Sequence, residues 1–168
     1  MVIFVALKLA AIVILMSTRI GLSKTGNTPF EKLIGHNPSV LEKWNELELA
    51  LFNHTSLDAN LMEQVRRTLA FGNGCEYCMV KGGKPYFDIK DQKIQTATAF
   101  AELFAVDHSS IQEAHFRFLK EQFTETEIAE LITFITFITA SQRFGKVMNL
   151  TEDLQENKVT SLAEMGDF

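Results

Sequence analysis

The chain has 168 residues, 46% of them apolar and 22% charged, with a formal net charge of −5 at pH 7. That apolar content excludes a disordered chain and is enough for one domain with a proper core. The acidic balance, with no Lys/Arg block, argues against a nucleic-acid-binding surface, because phosphate contacts need a basic field.

Residues Val2 to Met16 are almost wholly apolar. A spanning helix needs roughly 20 such residues, and this run is shorter and carries Lys8 inside it. A signal peptide would place its positive charge ahead of the apolar run. The expectation is a packed or exchanged N-terminal helix and a cytoplasmic location, with a membrane anchor as the less favoured alternative. Met16-Ser17-Thr18-Arg19 also reads as an alternative start, which would make residues 1–15 an upstream extension.

Arg19 to Gly35 reads as a mixed arm. Asn37-Pro38 is a helix start, with Asn as N-cap and Pro in the first helical position. Val40, Trp44, Leu47 and Leu51 follow at helical spacing, Leu41 and Leu49 add apolar surface beside that stripe, and Asn53-His54 ends that helix. Ser56 or Asp58 caps the next, whose apolar stripe is Leu61, Met62, Val65 and Leu69. Glu63 falls off the stripe, which by itself makes it a solvent-facing residue.

The next helix is predicted to begin at Cys75, after Gly72-Asn73-Gly74, and Lys81-Gly82-Gly83-Lys84-Pro85 reads as a loop. Asp91 caps a helix through Ala105, with Ile94, Ala97, Thr98, Ala101 and Phe104 on one face. Ser110 and Glu113 fit a capping box for a helix to about Phe123. Thr124 and Glu127 fit another, with Phe123 and Ile128 as a hydrophobic staple. The segment Ile128 to Met148 is rich in β-branched residues. Its cap and its length of about twenty residues predict a helix, and its apolar character makes it central or interfacial. No alternating strand pattern survives, so the fold class is all-α, with five or six helices in a bundle.

The two cysteines, Cys75 and Cys78, are three residues apart in a chain with no others. A bridge between them closes too small a loop to serve mainly as a staple. The spacing favours redox or metal chemistry. A thiolate at a helix N-terminus is stabilised, and a second thiol one turn on can resolve an oxidised sulfur as a disulfide. Structural zinc needs two further ligands at close spacing. His36, His54, His108 and His115 do not form such a pair, so no metal or cofactor is expected. A thioredoxin-like site would need a βαβ context that this chain does not offer.

Glu63, eleven intervening residues and then Cys75-x-x-Cys78 resemble the signature of the alkylhydroperoxidase D / carboxymuconolactone decarboxylase family. The resemblance runs from about His36 to about Thr151. It takes in His36-Asn37-Pro38, the Asn73-Gly74-Cys75 turn and the late helix with Arg143-Phe144-Gly145. It implies a helical bundle of about five to seven helices assembled as a homo-oligomer, a trimer or hexamer. The implied domain spans 36–151, with an arm over 1–35 and a tail over 152–168.

The implied activity is that of an antioxidant thiol peroxidase-like oxidoreductase. In the family pattern the attacking thiolate is Cys78, the resolving cysteine is Cys75, and Glu63 belongs to a proton relay. The implied partners are a hydroperoxide substrate and an external dithiol reductant. The family's relay histidine stands four residues after the second cysteine, and that position here is Gly82. Lys81 and Tyr77 are the nearby candidates for auxiliary roles, although an ordinary lysine is a poor base near pH 7. Two other readings stay open: a non-catalytic member of the fold, and a lyase acting on a cyclic lactone, a branch that does not need a cysteine pair.

Overall fold

The computed structural model describes residues 18–86 and 90–151. The apolar run 2–16 and the tail 152–168 lie outside the described residues. Among the described residues seven α-helices follow one another: α1 (Pro29–Ile34), α2 (Pro38–Asn53), α3 (Ala59–Gly72), α4 (Glu76–Gly82), α5 (Gln92–Asp107), α6 (Glu113–Gln122) and α7 (Glu125–Val147). A single 3-10 turn, His108–Ser110, links α5 to α6. There is no strand among the described residues, so the all-α expectation holds.

The caps explain most of the boundaries. Asn37 accepts from the Val40 N–H with Pro38 at the first helical position. Asp58, rather than Ser56, caps α3 through the N–H groups of Asn60 and Leu61. Asp91 caps α5 through Ile94. Thr124 and Glu127 form the reciprocal capping box that starts α7. Each satisfies N–H groups that a helix start leaves without an internal partner.

Four expectations are corrected. The arm over 19–35 contains α1, started by a second capping box between Thr28 and Glu31. Helix α6 does not use the Ser110/Glu113 box. Ser110 belongs to the 3-10 turn, and the N–H of Gln112 donates to Nδ1 of His115 at 2.9 Å. The loop read at 81–85 starts only at Gly83, because the Gly83 N–H still donates to the Met79 carbonyl at 2.8 Å and α4 runs through Gly82. On α2 the buried line is Leu41 with the half-buried Trp44 and Leu51, while Val40 and Leu47 are 48% exposed. The helix meets its neighbours along a line rotated from the predicted stripe.

The core forms where α3, α5 and α7 meet. Leu61, Met62, Val65 and Leu69 of α3 pack with Ile94, Ala97 and Ala101 of α5 and with Leu131, Phe134, Ile135 and Ile138 of α7. Helix α7 touches α3, α4, α5 and α6, as its apolar sequence predicts. Its Thr133 and Thr136 face outward and return their hydroxyls to backbone carbonyls one turn earlier. This gives the helix a solvent side despite its high apolar content. Aromatic rings attach the N-terminal helices. Trp44 lies 4.8 Å from Phe137, Phe52 lies 5.3 Å from Phe134, and Phe30 lies 5.6 Å from Phe144, between ring centroids. Glu130 of α7 holds the turn after α2, accepting from Thr55 Oγ1 and from both the N–H and Oγ of Ser56. No helix among the described residues is long and apolar enough to cross a membrane.

Candidate functional site

Three residues, Asn73-Gly74-Cys75, turn the chain from the end of α3 into α4. Gly74 has φ +63°, a left-handed conformation that suits glycine. The backbone N–H of Cys75 returns to the Ala70 carbonyl at 3.0 Å. The Asn73 side chain fastens the turn to α7. Its Nδ2 donates to Gln142 Oε1 at 3.0 Å, and its Oδ1 accepts from Arg143 Nε at 2.9 Å. Arg143 continues to the Ala105 carbonyl of α5 at 2.9 Å. One turn is thus tied to both core helices that flank it.

The helix starts one position later than predicted, at Glu76, and Cys75 is the N-cap of α4. Its sulfur accepts from the Cys78 N–H at 3.3 Å. Cys75 and Cys78 are joined as a disulfide with their Cα atoms 5.2 Å apart. The two ends of this bond differ. Cys75 is 1% exposed. A Cβ placed on Gly145 of α7 would stand 3.6 Å from its sulfur, in ordinary contact. Cys78 is only half-buried. The space beside Cys75, lined by Gly145, Lys146, Asn149 and Leu150, is about 30 Å³, little more than one water molecule occupies. Of the two residues, Cys78 is the more exposed.

Glu63 is half-buried on α3, not solvent-facing. Arg66 grips it with two prongs, Nε to Oε2 and Nη2 to Oε1, both at 2.8 Å. Arg67 Nε adds a third contact to Oε1 at 2.6 Å. Burial pushes the Glu63 carboxyl pKa up, but the hydrogen bonds and charges of Arg66 and Arg67 outweigh it. The net position is below the ordinary value. Gln64, buried on the same helix, accepts from the Tyr86 N–H at 2.7 Å, and Arg67 Nη1 donates to the Lys84 carbonyl at 3.3 Å. These contacts strap the segment after α4 onto α3.

The auxiliary candidates lie together: the Lys81 ammonium is 5.7 Å from the centre of the Tyr77 ring. On α4 they join the two cysteines, while Glu63 comes from α3. Sequence reasoning passed over Arg66, Gln142 and the double role of Asn73. Arg66 and Arg67 were within reach, since they stand three and four residues after Glu63, the spacing at which helical side chains meet. Gln142 had no such local signal. A groove of about 750 Å³ is lined by Thr68, Phe71, Thr98 and Glu102 among others, with neither cysteine in its wall.

No family model matches the sequence, and no curated protein matches it significantly. Among solved structures, the chain is similar in fold to an uncharacterized peroxidase-related protein from Silicibacter sp. TM1040. The TM-score is 0.65 at 17% identity, over 71% of this chain and 73% of that one. At that identity the likeness concerns the fold.

Proposed function

We propose that this protein is a thiol-dependent, peroxidase-like oxidoreductase that cycles Cys75 and Cys78 between dithiol and disulfide. The observation that carries the reading is the disulfide at the start of α4, which joins a buried residue, Cys75, to a half-buried one, Cys78. The fold shared with a peroxidase-related protein supports it.

In the proposed cycle, the Cys78 thiolate attacks the outer oxygen of a hydroperoxide. An S–O bond forms and the O–O bond breaks. The alkoxide leaves as an alcohol after taking a proton from solvent, and Cys78 becomes a sulfenic acid. Cys75 then attacks the Cys78 sulfur, an S–S bond forms and water leaves. An external dithiol supplies two electrons and two protons to restore both thiols, becoming a disulfide itself. Attack at the Cys78 sulfur would release Cys75 as the leaving thiolate, in keeping with the difference in exposure of the two residues.

Glu63 enters this cycle as an orienting group. A carboxylate held below its usual pKa by two arginines is a weak base near neutrality. Lys81 and Tyr77 would line the approach to α4. A homo-oligomer remains part of the proposal, as does a separate dithiol reductant. The decisive experiment is peroxide consumption with an added dithiol donor, comparing wild type with Cys75→Ser and Cys78→Ser. Consumption unchanged in Cys78→Ser would instead favour a non-catalytic protein of this fold.

A further inference from the structure

Gly82 is buried at the last position of α4. The space beside it is filled from another helix. A Cβ built on Gly82 would stand 2.9 Å from Arg66 Nη2, 3.3 Å from Nη1 and 3.4 Å from Cζ. The Arg66 guanidinium therefore occupies the volume that a side chain at position 82 would enter.

That volume is close to Cys78. Residues four apart on a helix share a face, with Cβ atoms about 5–6 Å from each other. Side chains also lean toward the helix N-terminus, so a residue at 82 would cover the turn that carries Cys78. Arg66 is held there by its two-pronged pair with Glu63. Its own carbonyl accepts from the buried Gln142 at 2.9 Å, which fixes the backbone behind it.

We propose that Arg66 is the cationic partner that stabilises the Cys78 thiolate, with Glu63 as the residue that positions it. This rests on the thiol-redox reading above. The charge takes the place of an imidazole, but the chemistry differs. A guanidinium does not give up its proton in a protein, so Arg66 stabilises the thiolate without relaying a proton. The thiol proton goes to solvent.

The surrounding charges leave room for this effect. From α3 come Glu63, Arg66 and Arg67, one negative against two positive. From α7, Lys146 pairs with Glu76 of α4 at 3.5 Å, and Arg143 is engaged with Asn73 and the Ala105 carbonyl. On α4 itself, Lys81 lies toward the Tyr77 ring. The α3 side thus carries a net positive charge next to the Cys78 turn.

The test is the pKa of the Cys78 thiol in the full-length, reduced protein, read from the pH dependence of iodoacetamide alkylation in a Cys75→Ser background. Arg66→Gln is expected to raise it by about one unit or more, and Arg66→Lys, which keeps the charge but not the fork, by less. An unchanged pKa in Arg66→Gln with a normal circular dichroism spectrum would overturn the proposal. So would equal rises in the two variants. If Arg66→Gln does not fold, Gly82→Ala serves in its place. The added methyl must push the guanidinium aside, so the thiol pKa should again rise, and an unchanged value would overturn the proposal. The alkylation readout is independent of peroxide turnover. An inactive wild type with an Arg66-dependent thiol pKa defeats only the peroxidase reading, and an active one without that dependence defeats only the role of Arg66.

Discussion

Glu63 and Arg66 face each other through two parallel contacts of 2.8 Å, one turn apart on α3. This geometry fixes a planar guanidinium more firmly than a single contact could. It also decides what Glu63 can do. A carboxylate committed to two arginines serves better as an anchor than as a base.

The two cysteines should differ in their mutant behaviour. Cys78→Ser is expected to reduce peroxide consumption to the uncatalysed background. Cys75→Ser is expected to react once and stop at a sulfenic acid, trapped by dimedone as a single adduct at Cys78. An adduct at Cys75 in the Cys78→Ser protein, with consumption retained, would reverse the assignment.

Glu63→Gln should destabilise the fold by about 1 kcal/mol at neutral pH, the scale of a partly exposed ion pair with good geometry. The sign follows from its lowered pKa. Such a carboxylate contributes stability above its unfolded value, 4.5, and loses it as pH falls through the lower folded value. The gap between wild type and variant in urea unfolding should therefore be constant from pH 6 to 8 and shrink below about pH 4.5. A gap that persists undiminished at pH 3 would contradict this.

Gly74→Ala places a Cβ on a residue with φ +63° and is expected to cost about 1–2 kcal/mol. The turn sets the cysteines, so the disulfide's midpoint potential should move as well. Equal stability of variant and wild type by chemical denaturation would show that the turn relaxes freely.

Phe134→Ala probes the core beneath α2. The ring is 1% exposed and stands edge-on to Phe52. Its removal is expected to cost about 3–5 kcal/mol and to loosen α2, seen as faster hydrogen exchange over residues 38–53. Protection in α2 equal to wild type would mean that the Phe52–Phe134 contact is not needed to hold the helix.

Much of this protein is set by local sequence. Asn37, Asp58, Asp91 and Thr124 each satisfy N–H groups within three residues, so four helix starts follow from short segments. The stripe Leu61, Met62, Val65 and Leu69 marks the buried side of α3 before any neighbour is known. The Cys75/Cys78 spacing likewise places both sulfurs at one end of one helix. What tertiary structure decided is how separate segments meet. Which cysteine is buried depends on Gly145 lying against Cys75, 70 residues further along the chain. The rotation of α2 depends on Phe134 and Phe137 beneath it. The space beside Gly82 reads as a gap along α4 and is filled by Arg66 from α3. Hydrogen bonds within a turn are encoded over a few residues, whereas burial and charge at a site are sums over every helix packed around it.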